Sequence, residues 1–310
     1  MSNYTFKRVS ENEYADLVYL FEDAFKQSID IDYYRHKNAT DYLGVKHLGY
    51  AAYAEDGSPA AFYGVYPYMM EYKGKKVLAA QSGDTMTHSK HTGKGLFTTL
   101  AKMTYELAKK EGIQFIFGFP NENSYPGFVK KLSWINKENM NNYLFRVSTL
   151  PLSGAAKKFP FLMPLYKWYA VMVLSSKKSG AAFFNNSIGS DFGTVEHSPA
   201  FFKYKMFYDN HLVKLSDRSA WIKIDGTLLI GDIEIKESNN AAQVLSDVKR
   251  LAFWLGCSKI IFSVGKQTYW DKQFAAIQQP YDAVYIGYLD LQSNLPLEDF
   301  KYVQADFDTF

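Results

Sequence analysis

The residues best placed to do chemistry lie in one stretch, Gln81 to Trp134. Within it, Lys90-His91-Thr92-Gly93-Lys94-Gly95 sets two glycines and two lysines between a strand-like run and a helix-like one. Successive backbone N–H groups at such a turn, with the positive end of a helix behind them, make a nest for phosphate oxygens. The dipole favours the anion by typically about 0.3–1 kcal/mol. Gly93 and Gly95 let the backbone come close, and Lys90 and Lys94 add positive charge, so the expected ligand carries phosphate. Two familiar phosphate loops do not fit. A P-loop needs G-x-x-x-x-G-K-[ST], but His88 stands at the first glycine's place and Gly95 where Ser or Thr should reach magnesium. A dinucleotide fingerprint needs G-x-G-x-x-G, but Leu96-Phe97-Thr98 follows Gly95, so the third glycine is missing.

The flanking sequence must position this loop. Tyr4 to Val9 reads as a strand, and Ser10 with Glu13 as a capping box for a helix carrying Leu17, Leu20, Phe21 and Phe25 at helical spacing. Gly49–Ala54 and Ala60–Tyr66 read as strands about the Asp56-Gly57 turn, and Met69–Tyr72 and Val77–Thr87 as a second pair about Lys73 to Lys76. A helix is expected from about Gly95 to Lys110, with Leu96, Leu100, Met103 and Leu107 on one face and Gly112 closing it. Ile113–Phe119 reads as a buried strand ended by Pro120, and Ser124–Leu132 as a short helix.

Lys90 to Gly95 resembles the [QR]-x-x-G-x-G/A pyrophosphate loop of the GNAT superfamily of N-acetyltransferases, with Lys at the first position in place of Gln or Arg. FVKKLSW, ending at Trp134, looks like that superfamily's F-Y-E-K-L-G-F. The strand before the loop, the helix after it, the next strand and the Asn-rich turn follow in the order the resemblance requires. It implies acetyl-CoA as cosubstrate, entering a splay between parallel strands at Asp84–His88 and Phe115–Phe119. The pantetheine arm would pair with the backbone of Met86, Thr87 and His88. The pyrophosphate would rest on Thr92, Gly93, Lys94, Gly95, Leu96 and Phe97, and Asn121 and Asn123 would hold the pantetheine amide. Lys130 and Lys131 are either within reach of the CoA 3′-phosphate or ordinary surface residues.

The transfer needs a base to free the amine and an acid to protonate the leaving thiolate. Asp84 is the candidate base: it shares a strand face with Met86 and His88, and its uncharged neighbours imply partial burial. The rival reading is that it only bonds backbone or lysine neighbours. His88 is a second candidate, or else shapes the loop. The acid is where the chain departs from the family, because Val129 stands where the motif has Tyr and cannot donate a proton. Tyr125, one helical turn earlier, is the substitute by spacing.

Composition bounds the alternatives. The chain has 310 residues, 47% hydrophobic and 22% charged, which is globular, and a prior of about 150 residues per domain gives two domains. Aromatics make up 17%, mostly core by their nature. A net charge of +3 is too small to argue for nucleic acid. The one cysteine, Cys257, excludes an internal disulfide and a Cys-based zinc site and suggests a reducing compartment. The N-terminal residues have no apolar core of a secretory signal, and Phe159–Leu174, interrupted by Pro160, Pro164 and Lys167, falls short of the about 20 apolar residues of a membrane span. That segment is expected to pack or to join domains, with a peripheral membrane contact as the alternative. The expected location is cytoplasmic. The triplets Asp30-Ile31-Asp32 and Asp306-Phe307-Asp308, the His88/His91 pair and the absence of G-x-S-x-G give no metal site and no serine hydrolase. Arg35, His36 and Lys37 read as a solvated basic edge, with a substrate-facing role as the alternative.

The second half faintly echoes the first. Tyr33-Tyr34-Arg35-His36-Lys37 is matched by Phe201-Phe202-Lys203-Tyr204-Lys205, and Asp56-Gly57 by Asp225-Gly226. Leu107–Phe119 resembles Leu251–Val264 at a shorter offset, with only KESNN between Ile235 and Ala241. The expectation is an α/β protein with mixed sheets: a GNAT-like acetyltransferase domain over 1–150, then a degenerate GNAT-like domain over 151–310 that lacks the loop. The expected function is acetyl transfer from acetyl-CoA to a small amine. Likeness to two-domain bacterial GNAT proteins with F-G-F-P-N-x-x-S-x-P-G-F suggests an amino sugar of surface polysaccharide. The alternatives are a non-catalytic CoA-binding or interaction protein, and a tandem-GNAT aminoacyl-tRNA-dependent cell-wall transferase.

Overall fold

In the computed structural model, which describes residues 3–136, 138–180, 183–236 and 241–310, the expected capping box is formed. The Ser10 hydroxyl accepts from Asn12 N–H, and Glu13 Oε2 accepts from Ser10 N–H at 2.8 Å. The elements in chain order are β1 (Thr5–Arg8), α1 (Tyr14–Phe25), α2 (Ile31–Lys37), β2 (Leu48–Tyr53), β3 (Pro59–Tyr72), β4 (Lys75–Thr87), α3 (Leu96–Lys110), β5 (Phe115–Gly118), α4 (Tyr125–Leu132), β6 (Met140–Arg146), α5 (Leu152–Lys158) and α6 (Met163–Ser175). There follow β7 (Thr194–Val195), α7 (Pro199–Lys205), β8 (Asn210–Lys214), β9 (Ser219–Ile224), β10 (Leu228–Ile233), α8 (Ala241–Trp254), β11 (Lys259–Val264), α9 (Tyr269–Ala275), β12 (Asp282–Val284) and β13 (Gly287–Asp290). The two strands read from Ala60 to Tyr72 are one, β3. Pro67 does not break it, because the last β2 partner of β3 is Val65, paired with Leu48, and beyond it no ladder bond to β2 is needed.

The chain divides into two compact units: Met1–Met70 with Lys75–Lys137 and Tyr285–Leu297, and Glu71–Gly74 with Glu138–Val284 and Glu298–Phe310. A boundary near residue 150 would cut β6 away from β11, to which it is paired from Arg146↔Lys259 to Asn141↔Val264. The first unit holds the sheet β1-β2-β3-β4-β5-β13, in which β4 and β5 are parallel with α3 as their crossover. The second holds β12-β6-β11-β10-β9-β8, in which β10 and β11 are parallel with α8 between them. Each unit thus follows antiparallel strands with one parallel crossover, and in each the second parallel strand is flanked by an antiparallel strand from the other half of the sequence, β13 beside β5 and β6 beside β11, with β12 as the edge outside β6. Of KESNN, residues 237–240 lie outside the described residues.

The core of the first unit carries the packing that aims α3 and α4. Leu96, Leu100, Ala101, Tyr105 and Ala108 of α3 pack on β2–β4, and Phe97 meets Phe128 of α4 edge-on at 5.3 Å. Trp134 closes this core from beyond α4, donating from Nε1 to the Tyr105 hydroxyl at 2.9 Å. Its indole has a slot made by two glycines that face each other across β5 and β13, Gly118↔Gly287. A Cβ on Gly287 would lie 2.5 Å from the ring and one on Gly118 3.3 Å from it.

Candidate active site

The β4–β5 pairing is short. Ala80↔Ile116 and Gln81↔Phe117 are the parallel pairs, yet β4 runs on to Thr87 while β5 ends at Gly118. From Ser82 onward the edge of β4 that faced β5 is open among the described residues, leaving backbone donors and acceptors for an extended, amide-bearing chain. Just past β4, His88 faces the other way: its N–H donates to the Ala60 carbonyl of β3 at 2.9 Å, and its carbonyl accepts from His91 at 2.8 Å. By strand alternation Thr87 is the neighbour whose polar groups face the open side. Met86 shares the parity of His88, so its backbone faces β3, and its side chain lies in the core with its sulfur 3.7 Å from the Tyr34 hydroxyl; of the three residues expected to meet pantetheine, Thr87 is the one that faces the open edge.

The loop after β4 is pinned at its start and open at its glycines. Asp23 of α1 accepts from Ser89 N–H at 2.6 Å, and Tyr4 reaches the His91 ring at 3.0 Å. The Ser89 N–H and the nearby Lys26 ammonium hold the Asp23 carboxyl down at about 2. His88 accepts from Lys90 N–H through Nδ1 at 3.2 Å, which puts the neutral ring's proton on Nε2, donated to the Tyr19 hydroxyl at 3.0 Å. Both ring nitrogens are used, so of the two readings of His88 the geometry supports the shaper of the loop. Gly93 and Gly95 have φ of +74° and +77°, and a Cβ on either would meet nothing within 4 Å. They serve the left-handed turn and leave open space outside it. Gly95 caps α3 with no side chain, and no acidic residue lies in the first turn. Thr99 N–H closes the first intrahelical bond, to the Gly95 carbonyl, so Leu96, Phe97 and Thr98 present amides with no intrahelical acceptor. Thr92, Lys94 and Lys90 are exposed around them. This donor set fits a pyrophosphate.

Asp84 lies on β4 where the splay opens, with φ of +50°, a left-handed kink inside a strand. Its carboxylate accepts from the Tyr66 hydroxyl at 2.8 Å and from Tyr33 at 3.4 Å, and pairs with Lys37 Nζ at 2.8 Å. Lys37 is fully buried, its ammonium 4.5 Å from the Tyr66 ring centre, so it is no part of a solvated basic edge. Arg35 does match that reading, exposed and paired with Asp32. Asp84 is therefore not the isolated carboxylate its uncharged neighbours imply. Lys37 was legible only as a position: it follows buried Tyr34 by three residues on α2, and both face the core. Burial pushes the Tyr66 phenol well above the usual tyrosine range, which keeps it a donor to Asp84.

Beyond β5, Asn121 Oδ1 accepts from the N–H groups of Asn123 and Ser124, each at 3.0 Å. Its oxygen shapes the turn into α4, and Asn123 is exposed beside it. Tyr125 opens α4 with its ring stacked on Tyr285 at 4.5 Å, held by β13's approach. Its hydroxyl has no hydrogen bond among the described residues, and no contact there joins it to the Asp84 group. Lys130 and Lys131 are exposed in the last turn of α4, where cations suit the dipole. The D-x-D triplets are spent on the fold: Asp30 caps α2, and Asp306 accepts from Val303 N–H and pairs with His197.

A parallel pair that parts beside a glycine turn and an uncapped helix is a GNAT-like arrangement, and the proteins similar to this chain agree with it as a fold. Residues 5–135 match the family model of the acetyltransferase (GNAT) domain. No curated protein matches the sequence. Among solved structures, a conserved protein of unknown function from Enterococcus faecalis V583, described as a probable N-acyltransferase, superposes with a TM-score of 0.63 at 14% identity, covering 96% of this chain and 75% of that one. Eis1 from Mycobacterium abscessus gives 0.54 at 12%, covering 93% and 74%. N-myristoyltransferase of Saccharomyces cerevisiae, with myristoyl-CoA bound, gives 0.55 at 10%, covering 93% and 83%. At such identities the likeness is one of fold.

Proposed function

We propose that the protein transfers an acetyl group from acetyl-CoA to a small primary amine, an amino sugar being the first class to screen. The observation that carries this is the end of the β4–β5 ladder at Gln81↔Phe117, directly upstream of the glycine turn and the free amides of Leu96, Phe97 and Thr98. In this reading Thr87 offers its backbone to pantetheine, and Thr92 to Phe97 take the pyrophosphate. Asn121, through its amide nitrogen, and Asn123 flank the opposite wall. The acceptor ammonium gives a proton to Asp84, directly or through one water, at Oδ1, the oxygen left with a single long bond from Tyr33. The amine nitrogen then bonds the thioester carbonyl carbon, the C–S bond breaks, and the thiolate takes the Tyr125 hydroxyl proton; the extra proton left on the new amide nitrogen passes through water to the Tyr125 phenolate, and Asp84 returns its own proton to solvent. The second unit is read as a degenerate relative of the first, with buried Lys205 on α7 where the first has Lys37 on α2.

Val129 in place of the family tyrosine favours a second reading, CoA binding without turnover. The tRNA-dependent alternative has the glycine turn and the small net charge against it. Release of CoA thiol from acetyl-CoA, followed over a panel of amines and amino sugars, separates the first two. Thiol release with one acceptor, lost in Asp84→Asn, supports transfer. Binding of acetyl-CoA with no release on any amine supports the second reading.

A further inference from the structure

The second unit carries an apolar face that the proposed acetyl transfer does not use. Tyr166, Ala170 and Leu174 turn one side of α6 into the core, and Tyr166 and Tyr169 anchor it by donating to the carbonyls of Leu255 and Trp254 at the end of α8. Its other side is apolar too. Leu165, Trp168, Val171 and Met172 are exposed at helical spacing, with Phe161 just before them 78% exposed, Trp168 61% and neighbouring Trp254 56%. At 13 residues α6 is too short to cross a bilayer, which takes about 20.

The segment that carries this face has charge of one sign. No Asp or Glu occurs between Glu138 and Asp191, while Lys157 and Lys158 precede the apolar stretch and Lys177 and Lys178 follow it. Lys157 and Lys167 are paired with Asp225 and Asp209, but Lys158, Lys177 and Lys178 have no ion pair among the described residues. A cavity of about 310 Å³ opens alongside, where Lys177, Lys214 and Arg250 meet Trp254; Asp247 holds Arg250 there at 2.8 Å.

We propose that this face seats the protein on an anionic phospholipid surface. The aromatic and aliphatic side chains enter the headgroup–acyl boundary, and the bracketing lysines meet lipid phosphates. A symmetric second copy fits less well. It would set the same lysines against each other with no acid from this segment between them.

Flotation of the full chain with vesicles tests this. Phosphatidylcholine vesicles are compared with vesicles that also contain phosphatidylglycerol, for the wild type, Phe161→Glu/Trp168→Glu and Lys158→Glu/Lys178→Glu. The altered side chains are exposed, and far-UV circular dichroism with thermal melting checks that each variant folds. The wild type is expected to float with the phosphatidylglycerol vesicles only, and less at high salt. The lysine variant should lose on the order of twentyfold in partition, and the aromatic variant all detectable binding. No flotation of the wild type, or equal flotation of folded variants, overturns the proposal. So does a dimer in light scattering that the aromatic substitutions dissolve, which assigns the face to a second copy.

Discussion

Lys37 Nζ stands 2.8 Å from an Asp84 carboxylate oxygen, the lysine side chain fully buried and the aspartate side chain 7% exposed. An ammonium on α2 is thereby tied to the one kinked residue of β4, at the mouth of the splay. Taking both charges out of water is costly, and removing one partner leaves the other uncompensated. Lys37→Met is expected to lower stability by about 3–5 kcal/mol, and the double variant Lys37→Met/Asp84→Asn by less than the sum of its singles. Chemical denaturation of the four proteins measures the coupling. Additive losses would mean that the pair is not felt energetically.

If Asp84 takes the amine proton, Asp84→Asn lowers kcat by about 10²–10⁴-fold and leaves acetyl-CoA affinity as it was. The double variant with Lys37→Met keeps the fold without the buried charges and is expected to be equally inactive. Steady-state kinetics beside a binding titration separates loss of chemistry from loss of binding.

Tyr125→Phe should lower kcat by about 10²-fold with the KM for acetyl-CoA unchanged. Val129→Tyr in that background restores a phenol at the position where the family motif has one. Recovery of rate would identify thiolate protonation as the missing step. A Tyr125→Phe enzyme of full activity would remove Tyr125 from the mechanism.

The Trp134 slot makes a prediction about stability alone. Gly287→Ala sets a methyl 2.5 Å from the indole of Trp134, itself buried in the core, so a loss of about 1–3 kcal/mol is expected. Gly118→Ala, at 3.3 Å, should cost less. Thermal melting of the two variants gives the order.

Asp23 supplies a pH dependence. Its folded value of about 2 lies below the ordinary 3.8, chiefly because Ser89 N–H donates to the carboxylate. A depressed value means the interaction is complete above about pH 4 and lost as pH falls toward 2. The Ser89 amide resonance should titrate with a midpoint near 2, and a midpoint near 4 would show the loop unpinned from α1.

Much of the first unit could be read from its residues, because local chemistry decides it. Ser10 and Glu13, the Asp56-Gly57 turn, the Gly93–Gly95 turn and Gly112 lie where caps and left-handed turns demand them. The splay was expected from resemblance, and the register supplies its geometry. What could not be read depends on pairing far along the chain. Nothing local tells β6 to join β11, or β13 to join β5. Lys37 sits among Arg35 and His36 as if on a solvated edge, and only the approach of α2 to β4 buries it. Asp84's kink is equally hidden, since an aspartate inside a run of uncharged strand residues does not by itself announce a left-handed turn.

Whether the β4–α3 turn holds acetyl-CoA is read by calorimetric titration of the cosubstrate into the wild type and into Gly93→Asp. The substitution adds a negative charge to the anion nest and strains a φ of +74°, in a place with free space around it, so the fold should survive. Micromolar binding by the wild type and none by a folded Gly93→Asp protein is the predicted result. A wild type that does not bind, or a variant that binds as well, contradicts it.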